Sequence, residues 1–163
     1  VARSVGGADA YIEKPFSVQY LEACINNLVS LRAMLRNKYS TSPLMPLTSV
    51  ANNNTDTNFL KNMTDIIEAH FSDSNLSVDF LTEQMGISRS SLYNKIKVLT
   101  DKTPNELIQL MRLKKAAQLL RENKYRINEI CYMVGFNNPS YFSKCFYKQF
   151  GMKPGEFAAQ SGE

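Results

Sequence analysis

The chain has 163 residues, 44% of them hydrophobic and 21% charged, with 7 Gly, 6 Pro, 3 Cys and no Trp. Such a length suits one globular domain, or one domain plus a fragment, and no apolar run approaches the ~18 residues of a membrane span. Its 19 Lys+Arg against 15 Asp+Glu give a net +4, but residues 57–85 carry −4 and residues 86–154 carry +9, which on charge alone fits a polyanion binder or a solvated charged face equally well.

Taken in chain order, the first 38 residues read as a fragment of something larger. The chain opens on Val1 rather than Met, which suggests excision from a longer protein, and no signal peptide is visible. Ala10-Tyr11-Ile12-Glu13, after the Gly6-Gly7 turn, predicts a short strand over 10–13. Pro15 interrupts it. Ser17 is a plausible cap, and Leu21, Ile25, Leu28, Leu31 and Leu35 then recur at helical spacing, predicting a helix over about 18–37. One strand and one helix cannot close a core. The apolar stripe is therefore expected to find a second copy of the chain, giving a homodimer through residues 18–36.

Residues 39–58 hold two prolines, four threonines and four asparagines without helical periodicity, and read as a linker. The remaining residues, 59–159, are helical almost throughout. Phe59, Met63, Ile66, Ile67 and Phe71 mark a first helix, and Ser77 opens a short second one that Gly86 closes. Ser88 caps a third with Leu92, Ile96 and Leu99 on its inner face. Pro104 opens a long fourth helix over 104–123; two more follow, with Ile127, Ile130, Met133 and Val134 and then Tyr141, Phe142, Cys145, Phe146 and Phe150 expected inside. Met63, Met85, Met111 and Met133 are expected in the core, and Arg112, Lys114 and Lys115 in solvent.

Two of these pairs repeat. Val78, Leu81, Met85, Gly86 and Ile87 precede Ile127, Ile130, Val134, Gly135 and Phe136 by 49 residues. Beyond the turn the offset is 50, pairing Leu92 with Phe142, Ile96 with Phe146 and Pro104 with Pro154. A short helix, a Gly-apolar turn and a second helix make a helix-turn-helix, here over 77–99 and again over 127–150. Two copies at nearly constant offset are a strong signal.

These residues resemble the AraC/XylS-type DNA-binding domain. Met85-Gly86-Ile87-Ser88 with Leu92 carries the first half of the likeness. Val134-Gly135-Phe136, Ser140-Tyr141-Phe142-Ser143-Lys144 and Phe150-Gly151 with Pro154 carry the more diagnostic second half. Thr100-Asp101 stands where the second unit has Phe150-Gly151, read as a minor change of turn. Upstream, Gly7-Ala8-Asp9-Ala10-Tyr11-Ile12-Glu13-Lys14-Pro15-Phe16 resembles the end of a response-regulator receiver domain. That likeness implies a cis Lys14–Pro15 bond and makes Lys14 the phosphoryl-sensing lysine, inactive without the upstream aspartate. Receiver, linker and AraC-type domain together are similar to the C-terminus of hybrid two-component regulators.

The fold class expected is all-α: two helix-turn-helix subdomains joined by a long linker helix, plus the receiver fragment. The resemblance implies a sequence-specific transcription regulator, the output domain of a phosphorelay protein, reading double-stranded DNA in two adjacent major grooves about 34 Å apart. By the family's pattern, Arg89, Ser90, Tyr93 and Asn94 of the first unit face bases. Asn138, Pro139, Ser140, Ser143 and Lys144 do so in the second, while Lys97, Lys102 and Lys148 suit phosphates. No cofactor, metal or catalysis is expected: His70 has no partner of the right kind, and no nucleophile elbow or phosphate loop is present. Scattered Cys24, Cys131 and Cys145 fit a reducing, cytoplasmic setting. The competing reading is a helical protein-interaction module without DNA affinity.

Overall fold

The computed structural model describes residues 11–73 and 75–160. They are all helical, with eight α-helices and one short 3₁₀ turn among the described residues. The predicted strand is not there: Tyr11, Ile12 and Glu13 are irregular, and Ala10 lies outside the described residues. Among the described residues there is no strand for these three to pair with. The Lys14–Pro15 peptide is cis.

Helix α1 (Val18–Thr41) begins where Ser17 accepts a hydrogen bond from the Tyr20 amide at 3.1 Å. It runs four residues further than its apolar pattern indicates. Most of it stands away from the core. Leu21, Leu28 and Leu35 are half-buried, while Val18, Tyr20, Ile25, Val29, Leu31 and Met34 are exposed.

The stretch read as a linker is instead part of the first core. Tyr39, Leu47 and Val50 are 1%, 4% and 5% exposed, Leu47–Val50 form the 3₁₀ turn, and α2 (Asn54–Ala69) already starts within it. Polar composition hid this, because only three anchors in twenty residues face inward. The asparagines have structural work instead, with Asn53 capping α2 through the Asp56 amide at 2.8 Å.

Two cores follow, sharing one helix. The first gathers Leu60, Met63 and Ile67 of α2, Leu81 of α3 (Val78–Met85) and Leu92 and Ile96 of α4 (Arg89–Thr100), all 0% exposed, around the front half of α5 (Pro104–Glu122). The second packs the rear half of α5 against α6 (Ile127–Met133), α7 (Pro139–Phe150) and α8 (Pro154–Gln160). Ten residues of α5 are buried, which makes it the shared beam of both units. Met133, expected inside, is 40% exposed beside Tyr132, because α6 ends there and the chain turns away.

The repeat is visible in hydrogen bonds. Ile87 N donates to Thr82 O at 3.1 Å, and Phe136 N, 49 residues on, donates to Cys131 O at 3.0 Å. Thr103 N and Lys153 N, offset by 50, each donate at 2.8 Å to the carboxylate three residues later, Glu106 and Glu156. That contact holds the Glu106 carboxyl below its usual range, the Thr103 backbone being the main cause. Asp101 sits at φ 58° where Gly151 sits at φ 75°, so the aspartate supplies the same left-handed helix end.

Candidate nucleic-acid interface

The exposed faces of α4 and α7 carry the residues expected to meet DNA. In α4, Leu92, Ile96 and Leu99 turn inward, which leaves Arg89, Ser90, Asn94 and Lys97 exposed and Tyr93 half-buried against the first core. Ser88 caps the helix through the Ser91 amide at 3.2 Å. Arg89 is not loose: its guanidinium meets Asp79 at 2.7 Å and lies 5.8 Å from the centre of the Tyr93 ring. These contacts, Tyr93 foremost, hold its pKa above the ordinary arginine value. Lys97 pairs likewise with Asp101 at 2.7 Å.

In α7, Phe142 and Phe146 are fully buried, while Ser140, Lys144 and Lys148 are exposed and Pro139 and Ser143 half-buried. Asn138 is exposed, but its side-chain oxygen caps α7 by accepting from the Tyr141 amide at 2.9 Å. Only its amide N–H₂ is left for a base.

Tyr141, grouped by its sequence pattern with the core, is 56% exposed. Phe142, Phe146 and Phe150 recur every fourth residue and already fill the inner stripe, so a residue one step earlier lies about 100° around the helix. Tyr147, 55% exposed, is a second aromatic on the outer side that sequence reasoning did not single out.

The two units meet in a cleft of about 490 Å³. Lys102 from the turn before α5 and Lys144 and Lys148 from α7 line it, with Glu106, Gln109 and Tyr141 between them. Three of the expected DNA-binding lysines, from both repeats, thus converge on one opening. Ser90 and Asn94 lie on the exposed side of α4, and none of the four central polar residues (Ser90, Asn94, Ser140, Lys144) is buried.

Neither Arg112 nor Lys114 is a solvent-exposed charge. Arg112 is half-buried and donates to Gly135 O and Asp73 O, each at 3.3 Å, joining the turn of the second unit to the loop after α2. Burial lowers its pKa from the ordinary value. Lys114 donates to Ser42 O at 2.7 Å and Met45 O at 3.0 Å, and stands 3.8 Å over the Tyr39 ring. Burial pushes that amine down to about 8. Both roles depend on tertiary neighbours that helical spacing does not reveal.

His70 is structural. Its Nδ1 lies 2.8 Å from Ile66 O and its ring packs edge-on to Phe80 at 4.8 Å. Among the described residues no cluster of His, Cys, Asp or Glu is arranged to hold a metal ion, and no helix is long and apolar enough to cross a membrane.

A family model described as a helix-turn-helix domain matches residues 81–160. The crystal structure of an AraC-type DNA-binding domain transcriptional regulator from Chromobacterium violaceum is 27% identical, covering 68% of this chain and 98% of that one, with a TM-score of 0.63. Residues 81–160 are an AraC-type helix-turn-helix domain. That stretch of the chain thus has the fold of the DNA-binding unit of AraC-type regulators. The C-terminal domain of AraT, a response regulator from Geobacillus stearothermophilus, is also similar, at 27% identity over 72% of this chain and 87% of that one, with a TM-score of 0.55. Histidine kinase P4 of Formosa agariphila is 40% identical over 157 residues, which is 96% of this chain. The chain spans only 12% of the length of that relative.

Proposed function

We propose that the chain is the cytoplasmic output end of a two-component phosphorelay protein and reads a specific double-stranded DNA site in two adjacent major grooves. The convergence of Lys102, Lys144 and Lys148 on one cleft between the duplicated units carries this reading. Arg89, Ser90, Tyr93 and Asn94 in α4 face bases, as do Asn138, Pro139, Ser140, Ser143 and Lys144 at the start of α7. Lys97, Lys102 and Lys148 take phosphates, which position the protein without reading sequence. The likeness to a response-regulator domain and to a histidine kinase supports the phosphorelay setting. In it, residues 1–38 are the end of a receiver with Lys14 as its phosphoryl-sensing lysine, and 59–159 are the DNA-binding domain.

Oligonucleotides selected by the chain from a random pool test the reading. Affinity should fall as salt rises while the sequence preference persists. Lys144→Ala should cost about 1–3 kcal/mol at one base position, whereas Lys148→Ala should weaken all sequences alike and lower the salt slope by about 1. Salt-indifferent affinity would instead support a protein-interaction module.

We further propose a homodimer through residues 18–36, supported by the six exposed large apolar side chains of α1. Ile25→Asp with Val29→Asp leaves Tyr39 in its core, unlike removal of the whole segment. Sedimentation velocity should show the variant as a monomer where the unaltered chain is a dimer; identical sedimentation of the two refutes the contact.

A further inference from the structure

The last two turns of α1 are tied to both recognition helices. Arg36 reaches the final turn of α4, its Nε donating to Leu99 O at 3.2 Å and its Nη2 to Val98 O. The last carbonyls of a helix lack intrahelical partners and carry partial negative charge, so a guanidinium is the fitting group there. Gln149, in the final turn of α7, donates from Nε2 to Ser40 O at 2.5 Å. Between these two ties Tyr39 is buried in the first core under Lys114, whose ammonium holds Ser42 O and Met45 O just past the helix end.

These partners belong to different bodies. Leu99 is part of the first core, whereas α7 packs in the second. Helix α5 runs through both and ties them further through its Arg112, and the end of α1 adds a bridge from outside α5. Arg112 and Lys114 are two residues apart, about 200° around α5, so the two bridges lie on opposite faces of the beam. Helix α1 itself has 24 residues with no Gly or Pro among them, a rod of about 36 Å.

Building on the DNA-reading assignment above, we infer that α1 is a strut whose C-terminal end sets the mutual placement of α4 and α7. The base-pair spacing accepted between the two half-sites is then under the control of whatever moves the Val18 end. A tilt at that end reaches the final turns of both recognition helices through Arg36 and Ser40. It needs no contact with DNA.

The test is binding of the full chain to its selected oligonucleotide, to versions with one base pair added or removed between half-sites, and to one half-site alone. The unaltered chain should lose at least about tenfold in affinity on a one-base-pair change, and Arg36→Ala with Gln149→Ala should shrink that penalty to about threefold or less. Affinity for the single half-site should stay within twofold, which also reports that each unit remains folded. Arg36→Lys, which keeps a donor at the α4 carbonyls, should retain the full penalty. A double variant with the unaltered spacing penalty overturns the strut alone. An unaltered chain that prefers no sequence overturns the DNA reading and the strut with it.

Discussion

Replacing Gly135 with alanine is expected to cost more than about 3 kcal/mol of unfolding free energy, against roughly 1–2 kcal/mol for the same change at Gly86. Both glycines occupy the same turn in the two repeats, at φ +84° and +63°. Both substitutions therefore force an L-residue into the left-handed region. The surroundings differ. A Cβ on Gly86 meets nothing within 4 Å, whereas one on Gly135 falls 2.1 Å from the Phe71 carbonyl oxygen and 2.9 Å from Arg112 Cζ. A carbonyl oxygen fixed by its backbone cannot yield as a side-chain tip would, so the loop after α2 must shift. That shift also breaks the Arg112 hydrogen bonds to Gly135 and Asp73. Urea denaturation of the two variants measures the difference, and equal midpoints would refute the close approach.

Phe146→Ala is the second large effect, about 3–5 kcal/mol. The ring is 0% exposed and sits among Phe142 at 5.9 Å, Phe150 at 4.9 Å and Phe157 at 5.5 Å between centroids. Edge-on and tilted packing of this kind adds to simple burial. At the α8 side of the second core, Phe150 and Phe157 are only half-buried, so Phe146 is the fully buried ring between them. Removing the central ring leaves the others no common partner. The first core, with its own Tyr39 and Phe71, shares no residue with this cluster, so near-ultraviolet circular dichroism should lose the phenylalanine fine structure of the second unit while the tyrosine bands and much of the far-ultraviolet helical signal persist. Full retention of near-ultraviolet ellipticity would count against the aromatic cluster as the keystone of the second unit.

The helix-turn-helix pair was legible because its signals are local. A serine before an apolar run, a glycine after it and a proline at the next helix start each act within four residues of themselves. Ser77, Ser88, Gly86 and Pro104 are found in those roles. What stayed hidden is long-range. Tyr39, Leu47 and Val50 are anchors only because α2 and α5 pass beside them, and their polar neighbours diluted the pattern. Arg112 and Lys114 look solvent-facing in a helix of alternating charge and leucine, until carbonyls more than twenty residues away are brought against them. Tyr141 erred the other way. An aromatic at near-helical spacing reads as core until three phenylalanines are counted on the inner stripe already. The half-exposed α1 was legible as unpartnered, but not its C-terminal end, whose ties span 62 to 109 residues of sequence.

The two ion pairs on α4 bear on how a duplex would approach. Asp79 and Asp101 sit against Arg89 and Lys97 where, in the proposed complex, a base acceptor and a phosphate oxygen would sit, so each carboxylate competes with the duplex for its cation. Both pairs are largely exposed, so they are weak and screened, but they lower the net positive charge that α4 presents. On the proposed assignment of Arg89 and Lys97, a duplex displaces these internal rivals, and repulsion between the liberated carboxylates and the incoming strand penalises a register in which the bases do not compensate.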